Sequence, residues 1–213
     1  MNHPWKDIDL QDYEHHMRLD SVHQLQTLNE IMKEQFYTYP VKTVMILGIA
    51  GGNGLEHIDP CRFDKVYGVD INKDYLAASV ERYPELLTMY EPICCDLSDT
   101  IVCLPAAQLL IANLLIEYIG YHHFQNIIRR VNPRYVSCII QVNADANFVS
   151  DSPYTAVFDR LNEIYYSVDE SALTEAMNQI GYHKTERNGH SLPNGKKLLR
   201  MDFCVLPVAH SEK

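Results

Sequence analysis

The 213 residues carry a net charge of −10, and 46% of them are hydrophobic, enough for one domain-sized core with an added helical segment. That acidity repels phosphate backbones, and the basic doublets Arg129-Arg130 and Lys196-Lys197 are isolated, so no nucleic acid partner is expected. No basic-then-apolar leader appears in the opening Met-Asn-His-Pro-Trp-Lys-Asp, and no apolar run approaches bilayer length, which predicts a cytoplasmic protein without a membrane partner.

Leu25, Leu28, Ile31, Met32 and Phe36 recur at helical spacing until Tyr39-Pro40 ends the segment, predicting one or two amphipathic helices laid over the rest of the molecule. From Thr43 the texture changes to short apolar strands alternating with helices. Residues 43–48 form a strand apolar on both faces, as a central parallel strand must be, and 65–70 form a second. Residues 73–83 read as a helix capped by Asn72. A third strand spans 91–96, where Pro92 cannot donate to a ladder and so predicts a sheet edge. A fourth strand spans 108–113, a helix 121–131 and a fifth strand 134–142, an alternation that implies right-handed crossovers and helices on both faces of an open sheet.

Residues 152–166 read as a further helix, and Ser167 with Glu170 predicts a capping box for a helix running to about Ile180, with Gly181 as its stop. The remainder reads as a hairpin turning at Pro193-Asn194-Gly195 or at Asn188-Gly189. The six cysteines form no C-x-x-C pair and predict buried, reduced thiols. The ten histidines show no H-x-x-x-H pattern, and the adjacent pairs His15-His16 and His122-His123 diverge on a helix, so no metal site is expected.

Residues 46–54, Ile-Leu-Gly-Ile-Ala-Gly-Gly-Asn-Gly, run from a strand into a turn almost free of side chains, with a helix expected to follow. In an open α/β sheet such a turn places a ligand at the carboxyl end of the strand. Two nucleotide fingerprints fail. A P-loop needs Lys-Ser/Thr where Leu55-Glu56 stands, and G-x-G-x-x-G fails from Gly48, which meets Ala50 and Asn53, and from Gly52, which meets Gly54 and His57.

The spacing Gly48-x-Ala50-x-Gly52-x-Gly54 resembles motif I of the class I, Rossmann-like, S-adenosylmethionine-dependent methyltransferases, acidic-x-Gly-x-Gly-x-Gly, with Gly48 in place of the acid and Ala50 in place of the first glycine. The resemblance covers about 43–206. It implies an α/β fold with a seven-stranded, mostly parallel, doubly wound sheet of order 3-2-1-4-5-7-6, the seventh strand antiparallel. Residues 1–40 then form an N-terminal helical cover over the cofactor site, and 41–207 the methyltransferase domain.

It further implies S-adenosylmethionine as cofactor, bound by Gly48, Ile49, Ala50 and Gly52 of the loop. Asp70 and Ile71 end the second strand, where a carboxylate accepts from both ribose hydroxyls. Asp96 and Leu97 end the third and face adenine, and Asn113 ends the fourth beside the methionine part. Tyr13, with His16 and Met17, lies in the cover and offers an aromatic face to the sulfonium.

Methyl transfer demands in-line positioning and water exclusion more than a catalytic triad. If the acceptor carries a proton, His16, His122, His123 and Glu117 are the candidate bases. Glu117 and Tyr118 are candidates for the acceptor pocket, as are Tyr154, Phe158, Tyr165 and Tyr166. Asn113 is followed by Leu-Leu-Ile rather than Pro-Pro-aromatic, which argues against exocyclic amines of bases or glutamine. A small-molecule acceptor is expected, with a protein side chain second. The alternatives are a nicotinamide-dependent oxidoreductase and a non-catalytic S-adenosylmethionine-binding scaffold.

Overall fold

Strands apolar on both faces require cover on both faces, and the computed structural model, which describes residues 3–99, 101–143 and 149–205, supplies it. Helices α1 (Leu10–Arg18) and α2 (Gln24–Thr38) precede strand β1 (Thr43–Leu47). Then follow β2 (Lys65–Asp70), α3 (Lys73–Arg82), β3 (Tyr90–Cys94), β4 (Leu109–Asn113), α4 (Ile116–Val131) and β5 (Tyr135–Val142). Helix α5 (Glu170–Gln179) and the hairpin β6 (Tyr182–Ser191) and β7 (Lys197–Val205) complete the described chain. The expected domain end at 207 lies outside the described residues.

The seven strands form one sheet of order β3-β2-β1-β4-β5-β7-β6. Strands β1 to β5 pair in parallel, and β7 runs antiparallel to both β5 and β6. Side chains alternate across the pleat. Met45, Leu47, Leu110 and Ala112 pack beneath α4 and α5, whereas Val44, Ile46, Leu109 and Ile111 pack against Met32 and Phe36 of α2 and Leu76 of α3.

Several expectations need correction. No α-helix follows the glycine turn: Leu55–His57 is a single 3-10 turn, and α2 packs over β1 and β4 on that face. The cap of α5 is Asp169, which accepts from the amides of Ser171 and Ala172, and Glu170 instead pairs with Lys184 and Arg187 of β6. Residues Thr155–Glu163 form a 3-10 helix rather than an α-helix. The helix expected at 121–131 begins earlier, at Ile116, and is interrupted by Gly120 at φ +73°. The hairpin turns around 193–195, with Gly195 at φ +82°, while Asn188 and Gly189 lie within β6. Among the cysteines only Cys138 is buried; Cys61, Cys94 and Cys103 are exposed, because they stand on an edge strand or in loops.

Beneath β5 and β7 the core contains a chain of polar groups. Asn113 and Gln35 exchange two amide hydrogen bonds of 2.9 Å, and Gln35 also donates to Ser137 Oγ at 2.9 Å. Ser137 donates to Asp202, which accepts two hydrogen bonds from Arg200 at 3.0 and 2.6 Å and one from Tyr39 at 3.0 Å. Arg200 and Asp202 are only 2% and 0% exposed, so the charged centre of this network is desolvated and its charges are paired.

Candidate functional site

The glycine turn is held by its neighbours on every side. The amides of Gly48 and Ile49 donate to Val69 O at 2.8 and 3.1 Å, tying the turn to the end of β2. Asp70 accepts from Ala50 N and Asn72 N, both at 2.9 Å, so one carboxylate braces the loops after β1 and β2. Burial raises the Asp70 carboxyl above its ordinary range, and the backbone donors from Asn72, Ala50 and Ile71 oppose that rise. It is not a helix cap; Asn72 caps α3, accepting from Asp74 N and Tyr75 N.

The absence of side chains serves the protein as much as a ligand. A Cβ on Gly51 would stand 2.6 Å from both Arg82 and Glu14, one on Gly52 2.9 Å from Leu55, and one on Gly54 2.9 Å from Met32. These three glycines let α1, α3 and α2 close onto the turn. Only Gly48 and Ala50 of the stretch line the neighbouring cleft; Ile49 is buried in the core and Gly52 faces α3. Gly48 sits at φ +68° with Leu115 Cδ1 3.3 Å from where its Cβ would be, which explains the missing acid in local packing terms.

Strain collects at this place. Ala50 and Leu114 both adopt left-handed backbone, at φ +50° and +53°, and both line the cleft. Such positions cost of the order of 1–3 kcal/mol each and persist where surrounding structure over-determines them.

The cleft opens at the carboxyl ends of β1, β2, β3 and β4. It gathers Tyr13, Gly48, Ala50, Asp70, Ile71, Asp96, Leu97 and Asn113, eight of the ten residues expected from the sequence. Asp96 also accepts from Ser98 N at 2.9 Å, forming the turn that ends β3. Asn113 does not cap the segment after it; its amide is committed to Gln35. Of the candidate bases, His16 and Glu117 line the cleft, whereas His122 bonds Asn126 and His123 bonds Ile119 O on α4, away from it. Phe158 and Tyr165 line the cleft; Tyr166 is exposed and packs over Gly120, and Tyr154 lies against His15.

The sequence reading missed Trp5 and Tyr75. Trp5 packs edge-on against Tyr118 and Tyr13, with ring centroids 5.0 and 5.7 Å away, and Tyr13 stacks on Tyr75 at 6.2 Å. Burial holds the Tyr13, Tyr75 and Tyr118 hydroxyls well above their usual range, so all three stay neutral. His16, bonded to Ser152 Oγ at 2.7 Å, is driven down to about 4 by burial, with Lys196 adding to the fall. It is therefore neutral at pH 7.

Glu117, a candidate both as base and for the acceptor pocket, lines the cleft and is only 3% exposed. Its Oε1 accepts from Gln141 N at 2.9 Å, and burial pushes its carboxyl up to about 7.

The cover is fastened across the cleft. Arg82 grips both carboxylate oxygens of Glu14 on α1, with one contact at 3.0 Å, and donates to Gly51 O at 3.0 Å. Asn72 donates to Trp5 O and Tyr75 to Ile8 O, each at 3.0 Å. Arg82 is 40% exposed, so removing the pair should cost only about 1 kcal/mol. Arg82→Ala is expected to speed amide exchange in α1 and the glycine turn about 5-fold while β5 is unchanged. Hydrogen exchange with mass spectrometry reads this directly, and unchanged exchange in α1 would mean that the apolar contacts alone hold the cover.

No protein-family model matches the chain, and no curated protein matches it by sequence. Solved structures do match in shape. Magnesium protoporphyrin IX methyltransferase (ChlM) from Synechocystis PCC 6803 with bound SAM aligns at TM-score 0.61 and 10% identity, over 95% of this chain and 88% of that one. Geranyl diphosphate C-methyltransferase from Streptomyces coelicolor A3(2), in complex with Mg2+, geranyl diphosphate and S-adenosyl-L-homocysteine, aligns at 0.62 and 12%, over 85% and 77%. The [4+2]-cyclase SpnF aligns at 0.63 and 10%, over 86% and 81%. At these identities the likeness is one of architecture, and it agrees with the strand order and the antiparallel β7. The chain has the fold of the class I S-adenosylmethionine-dependent methyltransferases.

Proposed function

We propose that the protein is a methyltransferase that uses S-adenosylmethionine and acts on a small molecule. The observation carrying this reading is convergence: Asp70, Asp96 and Asn113, from the carboxyl ends of β2, β3 and β4 on the two sides of β1, line one cleft with the side-chain-poor backbone of Gly48 and Ala50 that follows β1. The donor set suits the group. Asp70 offers a buried carboxylate for ribose hydroxyls, Asp96 an acceptor for the adenine amine, and Trp5, Tyr13 and Tyr118 offer π faces for a sulfonium.

When bound, the cofactor supplies a methyl group on an already activated sulfur. The chain's residues then have three tasks: to orient, to exclude water and to manage any acceptor proton. The aromatic cluster and the fastened cover supply the exclusion. A concave cleft lined mainly by apolar and aromatic side chains favours a small molecule over a folded protein substrate, and the net charge of −10 disfavours nucleic acid. No helix among the described residues is long and apolar enough to cross a membrane.

Trp5 is the only tryptophan in the chain and lines the cleft, so its emission reports occupancy. Excited selectively, it is expected to change by at least about a fifth on adding S-adenosylhomocysteine, saturating with a micromolar Kd, about −8 kcal/mol. NAD should leave it unchanged. Response to NAD alone would establish the oxidoreductase instead. Binding of the homocysteine product, without any acceptor gaining a methyl mass from S-adenosylmethionine, would leave the scaffold reading.

A further inference from the structure

Among the described residues lining the cleft, Glu117 is the one acid that neither braces a loop nor opens a turn. Its Oε2 is buried and has no hydrogen-bond partner among the described residues, a costly state for a carboxylate oxygen. Tyr118, Tyr121 and Tyr165 lie within electrostatic reach of its carboxylate, and Tyr118 and Tyr165 belong to an aromatic cluster in which Trp5 lies 5.0 Å and Tyr165 6.4 Å from the Tyr118 ring.

The described residues lining the cleft include no Lys or Arg, but three carboxyl groups, from Asp70, Asp96 and Glu117. This set offers no cationic side chain to offset the charge of a phosphate or carboxylate on an acceptor. A desolvated carboxylate beside an aromatic cluster instead matches a positively charged nitrogen, attracted by ring quadrupole and charge together.

We infer that Glu117 forms the acceptor subsite and that the acceptor is an amine on a small apolar body, bound as its ammonium ion with one N–H donated to Oε2. This rests on the methyltransferase reading. Within the subsite the proton passes from nitrogen to Oε2: the N–H bond breaks, an O–H bond forms, and the nitrogen keeps the electron pair it needs as a nucleophile. Total charge is unchanged. Glu117 becomes a neutral acid and the ammonium a neutral amine. A carboxyl raised by burial to about 7 is much closer in basicity to an amine than an exposed glutamate is, which makes this exchange accessible.

The titratable groups facing Glu117 are Tyr118 and Tyr121 of α4, Tyr165 after the 3-10 helix, and Cys138 of β5; burial raises all four, so they remain neutral near pH 7. His16 across the cleft is likewise neutral, so none of these five groups changes charge between pH 6 and pH 8.

The test is calorimetry of the purified protein with benzylamine and 2-phenylethylamine, and with benzyl alcohol and 2-phenylethanol as neutral counterparts, each with and without S-adenosylhomocysteine. With Glu117 protonated below about pH 7 and ionised above it, amine affinity should rise about 10-fold between pH 6 and pH 8. At pH 6, amine binding should release a proton to buffer. The alcohols should bind more weakly at pH 8 and without pH dependence. Glu117→Gln should weaken amine binding about 10-fold or more at pH 8 and abolish its pH dependence, with S-adenosylhomocysteine affinity held within about 3-fold.

Amines that bind no better than alcohols, or equally to Glu117→Gln and to the unaltered protein, overturn the inference. The pH profile of the unaltered protein decides the matter even if the variant fails to fold. Heat from S-adenosylhomocysteine alone tests the methyltransferase reading separately. Its absence alongside normal amine binding would sink that reading and leave an amine-binding cleft.

Discussion

Replacing Asp70 with alanine is expected to weaken S-adenosylhomocysteine binding at least ~100-fold. Two charge-assisted hydrogen bonds to ribose hydroxyls are worth about 1.5–3 kcal/mol each, and every 1.4 kcal/mol is a factor of ten. The loss is compounded by the protein's own use of the residue. Asp70 receives Ala50 N and Asn72 N, so its removal frees the left-handed Ala50 from its brace as well as deleting the ribose acceptor. Asp70→Asn keeps the shape and loses the charge, and should fall between, about 10-fold weaker. Titration of Trp5 emission measures all three proteins, at a temperature where circular dichroism shows each folded. If Asp70→Ala binds within 3-fold of the unaltered chain, Asp70 is a loop brace and the ribose assignment fails.

The features legible in the sequence were those with a strong local signature. Apolar runs marked the central strands, Pro92 marked β3 as an edge, and Asn72 marked the start of α3. Polar residues ending successive apolar strands marked Asp70, Asp96 and Asn113, which the fold brings to one cleft. What stayed hidden depends on contacts between distant segments. Gly51, Gly52 and Gly54 read as a ligand cradle, yet they admit α1, α3 and α2, and no spacing rule distinguishes a helix from a ligand as the thing that comes close. Leu114 is not a residue type that announces a left-handed backbone. The depth of burial of Glu117 was not legible from its place at a helix start, because the end of β5 reaches it only in the fold. The short turn after Gly54 did carry a signal, since only ten residues separate Gly54 from the start of β2 and Pro60 lies among them.

Gln35 is the residue whose role was least visible, and it points to the second large effect. Asp202→Ala is expected to destabilise the fold by about 3–5 kcal/mol, because Arg200 is left buried with only the exposed Glu34 and Thr38 as partners. For a domain of this size that is a fall in Tm of about 6–20 °C, measurable by thermal circular dichroism. Stability alone does not explain the arrangement, since an apolar pair of similar volume is often as stable as a buried ion pair or more so. The network leads from Asp202 through Ser137 and Gln35 to Asn113, the one member that lines the cleft. A fully satisfied chain of this kind fixes rotamers, and here it fixes the amide of Asn113 where β4 meets the cleft. The double substitution Arg200→Met with Asp202→Leu separates the two roles. It should restore Tm to within about 4 °C of the unaltered protein, yet bind S-adenosylhomocysteine about 5-fold more weakly, because Ser137 and Gln35 lose the anchor that orients Asn113. Undiminished affinity in the restored double variant would assign the network to packing alone. Reduced affinity at near-native stability would show that the molecule accepts a buried ion pair in order to aim one side chain into the cleft.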